Sequence, residues 1–116
     1  KVVTFAAEPA SAGTPYVMYT VASSTTAVVL GLVLSNINTT AVTAEVELVS
    51  TTSSRGGANN VANGTSFLIK DVSIPTGSSL EILSGGKVVL EAGDKIQIDC
   101  SVADKLSGTL SIMEIT

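Results

Sequence analysis

Apolar and polar side chains alternate along most of this chain, and glycine, proline, asparagine and hydroxyl residues interrupt the alternation at intervals of about eight to twelve residues. The pattern is cleanest at 42–50. There Val42, Ala44, Val46 and Leu48 fall on one side of an extended strand, while Thr43, Glu45 and Glu47 fall on the other. Between Ile74 and Cys100, three further β-type runs are separated by Pro75-Thr76-Gly77, Gly85-Gly86 and Ala92-Gly93-Asp94, turn sequences that supply positive-φ positions. Gly85-Gly86 reads as a two-residue hairpin. Those runs are 80–83, 88–90 and 96–102, and residues 2–6, 16–21, 67–74 and 110–115 are predicted strands as well. Residues 27–35 are apolar at nearly every position, as expected of a central strand covered on both faces. The one helical candidate, around 103–106, is too short to stand alone.

Eight or nine short strands with frequent turns predict an all-β fold, a single antiparallel β-sandwich that is Ig-like or jelly-roll-like. The predicted inward set is Val28, Leu30, Leu32, Val42, Val46, Leu48, Leu80, Ile82, Val88, Leu90, Ile96, Ile98, Cys100 and Ile112. Residues 1–15 carry Pro9, Gly13 and Pro15 after one short β-type run, and read as an N-terminal extended arm or edge strand ahead of a sandwich domain at 16–116. Residues 51–66, rich in Gly, Asn, Ser and Thr and containing the only arginine, form a long loop of the kind that is functional or disordered.

Composition narrows the function. The 116 residues suit one domain, and with 45% hydrophobic but only 3% aromatic residues the core is built from Val, Ile, Leu and Ala. Only 14% of residues are charged, and Ser and Thr supply roughly a quarter of the chain, so the surface is polar but weakly charged. A net charge of −4 with six scattered Lys and Arg residues argues against nucleic-acid binding. The longest apolar run, 27–34, falls far short of a membrane-spanning helix, and no signal-peptide pattern is present. A mean hydropathy of +0.49 points to surface hidden against other chains.

No chemistry is written in the side chains. Without histidine a Ser-His-Asp triad is impossible, and no S-x-x-K pattern replaces it. Asp94, Asp99 and Asp104 lack the spacing of a calcium loop: Asp94 belongs to a turn, Asp99 to the solvent side of its strand and Asp104 to a loop. Glu45 and Glu47 read as solvated acids on an outer strand face. Cys100, the single cysteine, alternates with Ile96, Ile98 and Val102 and reads as a buried, inert thiol. Arg55-Gly56-Gly57 does not follow a P-loop pattern. Asn38-Thr39-Thr40 and Asn63-Gly64-Thr65 match the glycosylation acceptor pattern, which is frequent by chance in a chain this rich in Asn and Thr. No catalytic residue, cofactor or metal is expected.

The run YTVASSTTAVVLGLVLSNINTTAVTAEVELVS, then FLIKDVSIPTGSSLEILSGGKVVLEAGDKIQIDC and the closing TLSIMEIT, resembles small virion structural proteins of tailed bacteriophages, including those of cyanobacterial and marine phages. The motif I-P-x-G-S-x-L-E followed by L-E-x-G-D-x-I carries the likeness. The piece from Leu90 to Ile96 also resembles the strand-turn-strand of trimeric jelly-roll domains. The resemblance implies a non-enzymatic capsid decoration or cement protein on the capsid exterior, a homo-oligomer with a trimer favoured, whose partner is the major capsid protein or another virion protein. The alternative is a tail, neck or fibre component that binds a receptor or carbohydrate. Neither nucleic acid nor membrane is an expected partner. The candidate interaction residues are Val2, Val3, Phe5, Pro9 and Pro15 of the arm and Arg55, Asn59 and Asn60 of the loop.

Overall fold

A computed structural model describes residues 1–50, 64–83 and 86–116. Among them are nine strands: β1 (Val2–Ala7), β2 (Tyr16–Thr20), β3 (Thr26–Asn36), β4 (Val42–Val49), β5 (Thr65–Ile74), β6 (Ser79–Glu81), β7 (Val88–Leu90), β8 (Lys95–Cys100) and β9 (Leu106–Ile115). One sheet has the order β1-β9-β3-β6 with β7 also on β3, and the other has the order β2-β8-β4-β5. All the pairings are antiparallel. The chain thus runs out through β1 to β4, returns through β5 to β9, and is rolled so that β3 meets β9 and β4 meets β8. This is the jelly-roll form of the predicted sandwich.

The core lies between the sheets. Val29, Leu32, Leu34, Leu110 and Ile112 come from one side, and Val42, Ala44, Val46, Ile96, Ile98 and Cys100 from the other. The inward residues of β4 and β8 are the ones that alternation predicts. Leu48, Leu80, Ile82 and Val88 are half-buried at the margin of the core.

In β3 the prediction fails at Val28 and Leu30. Pairing with β9 shifts register between Val29 and Gly31, so Leu30 is an extra residue and the inward parity changes across it. Ala27 and Val29 are inward before the bulge, Leu32 and Leu34 after it; Val28 is half-buried and Leu30 exposed. A glycine inside a strand is a recognised sign of a bulge, and Gly31 is that sign here. Val102, expected to follow Cys100 inward, is exposed because β8 ends at Cys100.

Gly85 of the expected Gly85-Gly86 turn lies outside the described residues, and the flanking strands differ from a hairpin. β6 and β7 do not pair with each other; both run antiparallel to β3, β6 along 33–35 and β7 along 27–29, as two lengths of one edge. Residues 103–106 form no helix, and β9 begins at Leu106. The predicted arm enters the sheet as β1, whose six residues pair with β9 from Val2↔Met113 to Ala7↔Gly108.

Tyr19 closes the side of the sandwich where β2 meets β1. Its ring packs 5.1 Å from that of Phe5, and its hydroxyl donates a 2.7 Å hydrogen bond to Glu114 Oε2. Burial, then the Glu114 carboxylate, pushes the phenol up to about 12. A raised folded-state pKa means that this contribution to stability is complete below the ordinary phenol value of about 10 and is lost as pH climbs from there toward 12. Melting temperature is therefore expected to fall across that interval more steeply for the native chain than for Tyr19→Phe, as thermal denaturation at stepped pH will show.

Candidate functional site

The two outer faces of the sandwich differ in chemistry, and strand register decides which residues each presents. On the β1-β9-β3 sheet, Val2 stands beside Met113, Met113 beside Val28, and Val28 beside Val89. Four apolar side chains thus form one row across four strands. Val2 is 68% exposed and Val89 63%; Ile115 (51%), Leu30 (38%) and Val33 (37%) extend the patch on the same sheet. The rest of this face is largely hydroxyl and alanine, from Thr4, Ala6, Ser107, Thr109, Ser111 and Ser35. Glu81, opposite Val33, is the one charged residue that the described strands place there. The expectation that residues 27–35 are covered on both faces is corrected: the core covers one face, and the other is left partly open.

The β2-β8-β4 sheet presents acids and amines outward. Glu45 is the cross-strand partner of Asp99, and Glu47 that of Gln97, whose Nε2 donates to Glu47 Oε2 at 2.9 Å. Opposite Glu45, β5 carries two residues, Lys70 and Asp71, because Ala44 pairs with Val72 and Val46 with Ile69. The bulge, with Asp71 at φ 52°, turns both side chains toward Glu45. Lys70 Nζ lies 3.3 Å from Glu45 Oε1 and 4.4 Å from the centre of the Phe67 ring. Burial first, and a hydrogen bond with the Asp71 carboxyl second, raise the pKa of Glu45 above the ordinary carboxylate value, against the opposing pull of Lys70.

Asp99, expected on the solvent side of its strand, is buried instead, and so is the turn residue Asp94. Asp99 is 8% exposed, and its Oδ1 has no hydrogen-bond partner. The β1–β2 connection lies beside it: the Gly13 N–H donates to Cys100 O at 3.1 Å, and Pro9 O accepts from the Asp104 N–H at 2.9 Å. Asp94 is buried in the β7–β8 turn, where its Oδ2 accepts the Glu91 N–H at 2.9 Å. Gly13, Thr43, Glu45, Asp71, Asp99 and Ser101 line an open depression of about 280 Å³ at the end of this sheet. Among the described residues no three acidic or cysteine side chains already converge on one metal position.

Of the candidate interaction residues, Val2 belongs to the open apolar row. Val3 and Phe5 point inward and are half-buried, Pro9 is buried, and Pro15 is exposed beside Tyr16. Arg55, Asn59 and Asn60, with most of the 51–66 loop, lie outside the described residues. Cys100 is a buried free thiol, as its alternation with Ile96 and Ile98 predicts. Sequence reasoning missed the row through Met113 and Val89 because those strands are far apart in the chain and only the ladder aligns them.

No family model matches the chain, and no curated protein is similar to it. Two solved structures are similar in shape. One is that of Bacillus endospore appendages, described as forming a novel family of disulfide-linked pili. It shares 19% identity, with 100% of this chain and 85% of that chain covered and a TM-score of 0.48. The other is that of the infectious bursal disease virus Gx strain, with 14% identity, 99% of this chain and 32% of that chain covered and a TM-score of 0.44. Likenesses this distant leave function to be read from the chain's own residues.

Proposed function

We propose that this chain is a non-enzymatic structural subunit of a virion, a decoration or cement protein of the capsid exterior that associates through the open face of its β1-β9-β3 sheet. The observation that carries the reading is β3, a strand apolar at nearly every position whose outward residues Val28, Leu30 and Val33 are only partly covered by the chain itself. Apolar side chains in a row with hydroxyl residues around them make a surface that loses water at little electrostatic cost, as an interface between chains requires. The small net charge of −4 lets like copies approach one another. Repetition over a lattice then turns modest contacts into firm attachment. The resemblance of most of the chain to tailed-phage virion proteins supplies the setting, and the absence of histidine from the sequence is in keeping with a part that performs no reaction.

The chain is expected to sediment as a homo-oligomer, with Val28→Lys and Val89→Lys each weakening assembly roughly tenfold or more while leaving the melting temperature of the subunit nearly unchanged. Equal sedimentation of native and variant chains would remove this face from the assembly. Copy number per particle separates the two virion locations: on the order of hundreds places the protein on the head, about a dozen or fewer on the tail or neck.

A further inference from the structure

Among the described residues, β1, β2, β5 and the β6 and β7 segments form the edges of the two sheets. Most of these edges carry features that discourage a further strand from pairing. β2 shifts register between Val17 and Tyr19, β5 shifts twice and carries Lys70 and Asp71, and β6 and β7 are three residues each. β1 has none of these features. Its six residues, Val-Val-Thr-Phe-Ala-Ala, pair with β9 without a shift and include no charge and no proline.

The ladder fixes which backbone groups β1 leaves open. Lys1 N donates to Glu114 O at 3.0 Å and the Glu114 N–H donates to Lys1 O at 2.7 Å, so these two residues form a hydrogen-bonded pair. Such pairs alternate along an antiparallel ladder. Val3, Phe5 and Ala7 therefore bond to β9 as well, whereas Val2, Thr4 and Ala6 direct their N–H and C=O groups away from it. No strand among the described residues lies on that side. The core is unfinished at the same edge: Val3 and Phe5 face inward yet are only half-buried, while Ile112 and Leu110 opposite them are fully buried.

We propose that the β1 edge binds a second copy of this chain, β1 to β1 antiparallel about a two-fold axis at Thr4, so that the two sheets become one. In this register Thr4 pairs with Thr4 of the second copy and Val2 with Ala6 of the second copy, and every open N–H and C=O of these residues finds a partner. Phe5 then stands against Val3 of the second copy on the core side, an aromatic and β-branched pair that covers both. Charge favours the same direction. Lys1 precedes the strand and Glu8 follows it, so antiparallel pairing brings the positive end of one strand to the negative end of the other, whereas parallel pairing sets Lys1 beside Lys1. The contact lies at the sheet edge and holds whether or not the open apolar face is also covered.

The test is disulfide trapping of the full chain. Across the axis the two Thr4 Cα atoms stand about 5.5 Å apart, within reach of a disulfide, while the two Val2 residues stand roughly 14 Å apart. Under mild oxidation Thr4→Cys is expected to form a covalent dimer roughly tenfold or more faster than the equally exposed Val2→Cys, with the buried Cys100 taking no part. Thr4→Pro removes an N–H that points away from β9 and leaves the β9 bonds intact. It is expected to weaken dimerisation roughly tenfold or more in sedimentation equilibrium, with a melting temperature close to native at concentrations where both chains are monomeric. Trapping through Thr4→Cys is expected to persist in a Val28→Lys background. Equal rates for the two cysteines, undiminished association of Thr4→Pro, or loss of trapping with Val28→Lys would each overturn the edge contact, the last by assigning association to the open face alone.

Discussion

Replacing Ile98 with alanine is expected to destabilise the protein by roughly 2–5 kcal/mol, seen as a fall in melting temperature of roughly 10–20 °C. Ile98 is 1% exposed at the middle of β8, where it is paired with Tyr16 on one side and Val46 on the other. Its Cδ1 reaches across to β9, where a Cβ built on Gly108 would stand 3.0 Å from it. The absence of a side chain at Gly108 is therefore what gives Ile98 its room. Gly108→Ala alone is expected to cost roughly 1–3 kcal/mol by overpacking, since Met18 and Leu34 also close on that position. Combined with Ile98→Ala it fills part of the cavity, so the double variant should be more stable than the two single losses predict by addition. Additive losses in a denaturation cycle would show that the two residues do not share this space.

Asn36→Ala is the second large loss, expected at roughly 2–4 kcal/mol by denaturant unfolding. Asn36 is 5% exposed at the end of β3. Its Nδ2 donates to Thr40 O and to Ile74 O, each at 2.9 Å, and its Oδ1 accepts the Asn38 N–H at 2.7 Å. One side chain thus ties the β3–β4 turn to the end of β5, two segments far apart in sequence. Alanine leaves the Ile74 carbonyl without that buried donor. Asn36→Asp should cost at least as much, because a carboxylate keeps the bond from Asn38 but faces two carbonyl oxygens. A loss below about 0.5 kcal/mol in both variants would mean that water replaces the amide.

What these losses share is that the residues are legible in the sequence only in part. That Ile98 faces inward follows from its alternation with Ile96 and Cys100. That Gly108 makes room for it does not, because the contact joins strands whose register the local pattern does not specify. Asn36 is the last residue of β3, and its bond to Ile74 O depends on where β5 ends. The candidate sites divide in the same way. Glu45 and Asp99 are each placed outward by alternation, yet their pairing, and the extra residue that brings Asp71 beside them, are properties of the β4·β8 and β4·β5 ladders.

By itself, the sequence determined that the chain is all-β, where most turns fall, which sides of β4 and β8 face the core, and that Cys100 is buried. Each of these follows from period-two alternation and turn chemistry, which are local. Tertiary structure alone decided the rest. The Leu30 bulge reverses the parity of β3 because β9, nearly eighty residues later, must pair along its whole length. Asp99 is buried although alternation places it outward, and the β1–β2 connection is hydrogen-bonded to the next residue, Cys100, through Gly13. The strand that reads as covered on both faces has one side partly open because no local pattern states whether the second cover comes from the same chain or from another.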